Sequence, residues 1–185
     1  MRQPIWLVLL ACVLALGAAV LQAPRESAAG ERRIQSAAMP ADYLISDIAR
    51  YRKETWRWQA LMGVRKTRAT TVRHVRSPAY RRWVRNLWRK RAVTHRRKAH
   101  RPPNHHAWSC IQRYEGHWND PNPPYYGGLQ MDLTFQRLYG SDLLRRKGTA
   151  DNWTPVEQMW VAERALRAGR GFYPWPNTAR HCGLI

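Results

Sequence analysis

Acidic residues are the scarcest resource of this chain relative to its charge. Only 12 Asp and Glu stand against 32 Lys and Arg, for a formal net charge of +20. From Arg65 to Arg101 there is no carboxylate at all. That deficit excludes a self-neutralised surface over the first half. It implies polyanionic partners: nucleic acid, an anionic membrane surface or the acidic polymers of a cell wall. Residues 1–104 hold 23 Lys and Arg against 5 acidic residues and residues 105–185 hold 9 against 7, so the excess belongs almost wholly to the first part. Arginine outnumbers lysine 27 to 5, which favours forked contacts to phosphate or carboxylate, although a GC-rich genome produces the same bias.

Long apolar runs are equally scarce. The one uncharged stretch, Ile5 to Ala23, comes after Arg2. A positive charge ahead of such a run predicts a secretory signal. At about 17–25 residues a run is also long enough for a membrane anchor, so residues 1–23 are read as one or the other. Either way the body of the protein is expected outside the cytoplasm, secreted or anchored at the cell wall. An exported chain rarely meets nucleic acid, and neither helix-turn-helix nor zinc-ligand spacing is present, so nucleic acid is not the expected partner. Cysteine is nearly absent: apart from Cys12 there are only Cys110 and Cys182. In an oxidising compartment these two predict a disulfide closing a long loop; the alternative is a pair of unpaired buried thiols.

The chain divides into three regions: residues 1–23, a basic and partly helical linker or wall-association region over 24–104, and an α-rich domain over 105–185. Ala28 to Pro40 reads as linker. Tyr43, Leu44, Ile48, Tyr51, Trp58 and Leu61 recur at helical spacing over Ala41 to Met62, with Gly63 as the stop. Ser77-Pro78 predicts the start of a second helix carrying Tyr80, Trp83, Val84, Leu87 and Trp88. Residues 65–101 are a candidate docking surface for anionic wall polymer or membrane, or else a solvated, partly helical stalk or a module packing on the C-terminal domain. Arg101-Pro102-Pro103-Asn104 is the expected domain boundary. Beyond it a helix is expected from Ala107 to Trp118, with Trp108, Ile111, Tyr114 and Trp118 as its apolar stripe. Asp132 is expected to cap a short helix ended by Gly140. Thr154-Pro155-Val156-Glu157 is a capping box opening a helix to Ala168. Trp153, Trp160 and Trp175 are expected in the core.

Glu115 is the candidate catalytic group. It closes a largely apolar helix beside Gly116, where apolar neighbours raise the pKa of a carboxylic acid and a glycine leaves room for a sugar. The bland alternative is a solvated helix-end carboxylate. Tyr125-Tyr126-Gly127-Gly128-Leu129-Gln130 joins paired aromatics, a glycine turn and an amide, a combination suited to stacking on sugars and bonding N-acetyl groups. Trp118 and Tyr126 are the candidate sugar platforms. His95, His100, His105 and His106 cluster near the boundary, but surrounding Arg and Lys repel a cation and no ligand spacing fits, so neither metal nor cofactor is expected.

Trp108, Glu115-Gly116, Trp118-Asn119, the Tyr125–Gln130 run and Thr134-Phe135 occur in order, and after them Glu157-Gln158, Val161-Ala162-Glu163 and Trp175-Pro176. Over about the last 80 residues this pattern resembles the transglycosylase-like domain of resuscitation-promoting factors, a lysozyme-like fold. The resemblance implies cleavage of peptidoglycan glycan strands, with Glu115 on the catalytic glutamate and Gln130 and Thr134 in the substrate groove. Phe135 stands where that family usually has Trp. Two departures stand out: Tyr114 occupies the position of the family's cysteine, with Cys110 one turn earlier, and Asp120-Pro121-Asn122-Pro123-Pro124 replaces a Gly/Asn-rich loop. Asp120 and Asp132 are candidates for a second carboxylate, but neither matches a family role. A single glutamate implies the lytic route, which closes an anhydro sugar without water. Hydrolytic cleavage at the same bond, and glycan or polyanion binding without cleavage, are the alternatives.

Overall fold

The computed structural model describes residues 41–69 and 77–185. The signal or anchor reading of residues 1–23 and the Ala28–Pro40 linker lie outside them. Helix α1, Ala41–Leu61, buries the stripe begun by Leu44 and Ile48 and continued by Trp58 and Leu61. Gly63 ends it at φ 65°, with its N–H bonded to Ala60 O and that of Val64 to Gln59 O. This Schellman arrangement needs the left-handed residue that glycine supplies without strain. Helix α2, Pro78–Ala99, starts as the sequence predicts: the Ser77 hydroxyl accepts from Tyr80 N–H, and proline takes the first turn. Ile48, Val84 and Trp88 form a small core between the two helices, flanked by Tyr51 and Trp56.

The pairing of α1 with α2 is parallel. Asp47 lies 3.9 Å from Arg85, and further along α1 Gln59 meets His95 at 3.0 Å, so both helices advance in the same sense. Parallel neighbours require the chain to return along its own length. Gln59 fixes that return segment: its amide both donates to Thr67 Oγ1 and accepts from Thr67 N–H, while Trp56 Nε1 donates to Thr67 O.

The remaining elements are α3 (His105–Glu115), the strands β1 (Tyr125–Tyr126) and β2 (Met131–Asp132), α4 (Leu133–Tyr139), α5 (Ser141–Lys147), a 3-10 turn (Ala150–Asn152), α6 (Pro155–Ala165) with the π turn that follows it, and α7 (Pro176–His181). The two strands pair antiparallel, Tyr125 opposite Asp132 and Tyr126 opposite Met131. The described chain is therefore mainly α, with one short hairpin. Among the described residues no helix is long and apolar enough to cross a membrane. The Asp132 cap and the Thr154–Glu157 capping box form as expected. Two ends differ. α3 stops at Glu115, not Trp118, because the chain turns at Gly116; Trp108 and Ile111 are buried while Tyr114 is half exposed against His181. α6 loses regular α geometry after Ala165 and widens into a π turn over Leu166–Arg170, where Gly169 takes φ 86°.

The expected boundary near residue 104 is not a break in packing. Residues 40–185 form one unit, and Trp58, Leu61, Met62 and Ala99 share a core with Trp108, Trp153 and Trp160. Helix α6 makes the join. Trp160 Nε1 donates to Ala99 O at the end of α2. Arg164 donates to Ala60 O and Leu61 O, and Arg167 to Met62 O, at the end of α1. Ala99 O, Leu61 O and Met62 O are carbonyls that a helix C-terminus leaves without backbone partners, Ala60 O already accepts from Gly63 N–H, and cations there also complement the helix dipole. The described part of the basic region, residues 41–69 and 77–104, thus packs with the C-terminal domain, an outcome that proline punctuation did not announce.

Cys110 on α3 and Cys182 after α7 form a disulfide, with Cα atoms 6.1 Å apart. Such a bond suits an oxidising compartment. It spans 72 residues, for which loop-closure entropy gives about 4 kcal/mol. Urea unfolding of a Cys110→Ser/Cys182→Ser variant is expected to show a loss of that order; a loss under about 1 kcal/mol contradicts the assignment. A second expectation concerns acid. Burial disfavours the ionised form of Asp142, but the hydrogen bond and charge of Arg164, with Arg146, outweigh it and hold the carboxyl below its ordinary value. Glu157 is likewise lowered, its burial outweighed by Lys147 and the Thr154 cap. Carboxylates depressed on folding contribute stability that is fully present above their unfolded pKa of about 4 and lost as pH falls through the folded value. Melting temperature is expected to drop steeply below about pH 4, and less so in Asp142→Asn; an unchanged pH profile in that variant refutes the role given to Asp142.

Candidate active site

Glu115 is the last residue of α3, and it is held from both sides along the chain. Gly116 N–H bonds to Gln112 O, and the Gln112 side-chain amide returns to Gly116 O at 2.7 Å. The turn after the glutamate is therefore clamped by the helix that carries it. The Glu115 carboxylate is partly buried and accepts a 2.7 Å hydrogen bond at Oε1 from the Thr178 hydroxyl on α7. Its Oε2 has no hydrogen bond among the described residues. Thr178 lies one turn before Cys182, so the disulfide that ties α7 to α3 also holds the threonine at the glutamate.

Gly116 faces the hairpin. A Cβ placed there would stand 3.1 Å from Gln130 Nε2 and 3.3 Å from Asp120 Oδ2. Gln130 sits at φ 48° at the end of the hairpin turn, and its amide nitrogen donates to Asp120 Oδ2 and to Gly127 O, each at 3.0 Å. Both amide hydrogens are thereby used, so toward a ligand Gln130 offers only its carbonyl oxygen, an acceptor for an N-acetyl N–H. The other Asp120 oxygen accepts from the Asn122 backbone and side chain. With both oxygens engaged inside the protein, Asp120 acts as the anchor of Gln130. Asp132 is a helix cap, its Oδ1 accepting from Phe135 N–H.

The Gly127–Gly128 pair is packed rather than flexible. Gly127 has φ 72°, and a Cβ there would fall 2.6 Å from Gln158 Oε1; at Gly128 it would meet Gln112 and the Trp118 ring within 3.0 Å. Gln158 cannot yield, because its amide nitrogen is held by Trp118 O, Ala150 O and Trp153 O, its two hydrogens shared among the three, which fixes where Oε1 lies. Trp118 itself is partly buried against the core, as is Tyr126, while Tyr125 is half exposed and Thr134 is exposed on the first turn of α4. The Phe135 ring packs against Tyr139 and Trp175.

Of the residues singled out from sequence, Glu115, Gly116 and Gln130 come together with Asp120 in one cluster. Sequence reading passed over Thr178 and Gln112. A signal for the first exists: Thr178 is four residues before Cys182, on the helix face the disulfide turns toward α3. Comparisons of this chain with protein-family models, with curated proteins and with solved structures give no match.

Replacing Gly127 by Ala forces a side chain into the Gln158 amide at a backbone angle that L residues rarely adopt. The expected cost is about 2–3 kcal/mol in chemical denaturation, and a loss below about 0.5 kcal/mol would show the turn to be loose.

Proposed function

We propose that this chain is an exported enzyme that cleaves the glycan strands of peptidoglycan, with Glu115 as its single acid/base. The observation that carries the reading is the seating of Glu115. One carboxylate oxygen is tethered by Thr178, the other has no partner among the described residues, and the adjoining Gly116 lies against the Gln130–Asp120 pair at the head of the tyrosine hairpin. A helix ending in a carboxylate, then a small hairpin and further helices, also agrees with the lysozyme-like reading of residues 105–185.

The chemistry turns on one proton. Protonated Glu115 delivers it to the glycosidic oxygen, and the C1–O bond breaks with its electron pair leaving on that oxygen. The resulting carboxylate then takes the proton of the same sugar's C6 hydroxyl as O6 bonds to C1. An anhydro ring closes, Glu115 regains its proton, and no water is consumed. Thr178 keeps one carboxylate oxygen in place, so the proton exchanges through the other. Gln130 Oε1 is assigned as the acceptor for an N-acetyl group, and Tyr125 and Thr134, exposed on the hairpin and on α4, are assigned to the substrate groove together with the partly buried Trp118 and Tyr126.

Hydrolysis is the second reading, favoured by the approach of Asp120 to Gly116, which brings a second carboxylate to the site. Its two oxygens are already engaged, which favours the lytic route. Digestion of purified sacculi decides between them: anhydro ends are expected, and reducing ends would establish hydrolysis. Glu115→Gln is expected to slow release of fragments by on the order of 10³-fold with sacculus binding near normal; undiminished release removes Glu115 from its role.

A further inference from the structure

Two cavities open along the seam where α1 meets α5 and α6, of about 300 and about 360 Å³. Both are of the size of small-ligand sites, which run to roughly 300–1,000 Å³. They share Arg57 and Arg146 as walls, so they lie side by side and are treated together as one trough. Its floor is apolar: Trp58, Leu61, Leu143 and Val156 line the first cavity. None of its lining residues belongs to the Glu115 cluster.

The rim is charged, and the charges do not balance. Its carboxylates are already met: Asp142 by Arg146 and Arg164, Glu157 by Lys147. Lys53, Arg57 and Lys66 have no carboxylate partner among the described residues; Arg57 lies over the Trp58 ring at 4.4 Å. Three of the chain's five lysines, Lys53, Lys66 and Lys147, line this one trough. Unpaired cations gathered on concave walls repel one another, and an anion bound among them relieves that repulsion.

We propose that this trough binds a short acidic peptide, its carboxylates on Arg57, Lys53 and Lys66 and its small apolar side chains against Val156 and the edges of Trp58 and Leu61. The apolar floor separates this ligand from a polyol phosphate or a nucleic-acid backbone, which would satisfy the cations and leave the floor unused. Binding here is independent of what Glu115 does.

Calorimetric titration of the full chain, held in a non-ionic detergent, tests the assignment with the tripeptide Ala-Glu-Ala as probe. The free tripeptide is expected to bind at least tenfold more tightly than the same peptide with both carboxyls amidated, and more tightly than glycerol phosphate. Arg57→Gln/Lys66→Gln is expected to weaken it at least tenfold with an unchanged melting temperature. Arg82→Gln/Arg89→Gln, which removes the same charge from exposed positions on α2, is expected to leave it unaltered. Absence of binding, equal binding of the amidated peptide or of glycerol phosphate, or an equal loss in the α2 variant overturns the proposal. Glu115→Gln retains peptide binding, so failure of the cleavage reading and failure of this one give different results.

Discussion

The structure depends on the polar side chains of one buried helix. Along α6, Gln158, Trp160, Glu163 and Arg164 point in different directions, and each takes up backbone or indole groups that would otherwise be buried without partners. Glu163 is 2 % exposed, and its Oε1 alone accepts from Asn104 N–H, the Asn104 amide and Trp108 Nε1. Arg164 ties the end of α1 to Tyr139 O and Asp142. A hydrogen bond of this kind contributes only about 1 kcal/mol net, but a buried group left without one costs about 1–3 kcal/mol. The arrangement therefore acts mainly by making every alternative packing expensive.

That constraint reaches the candidate site by two routes. Gln158 fixes the Trp118 carbonyl and presses on Gly127, which sets where the hairpin turn lies and so where Gln130 can reach. Glu163 holds the start of α3, and Glu115 stands at its other end. The disulfide then brings α7 and Thr178 to the glutamate. Three segments, the end of α3, the hairpin and α7, come to the Glu115–Gly116 turn, and each is positioned by an interaction made elsewhere. Such support holds a side chain in place without help from a ligand.

The same helix explains why α1 and α2 are not a tail. A parallel helix pair leaves both C-terminal ends on one side, and both ends land on α6. The cationic surface of α1 is thus carried rigidly on the domain that holds Glu115, and the charged trough exists only because the two meet.

Local signals were legible in the residues themselves. Helix starts at Ser77-Pro78, Asp132 and Thr154-Pro155, the Gly63 stop and the Cys110–Cys182 pair all rest on interactions within a few residues or on the redox setting of the compartment, and these hardly depend on the rest of the fold. The Glu115–Gly116 and Tyr125–Gln130 motifs were likewise visible as motifs. Tertiary structure alone decided the parallel sense of α1 and α2, the union of the two halves through Trp160 and Arg164, the engagement of Asp120 by Gln130, and the partnership of Thr178 with Glu115. Each of these depends on how distant parts of the chain pack together, so no periodicity or cap encodes it: which buried donor meets which acceptor is settled only when the whole core closes.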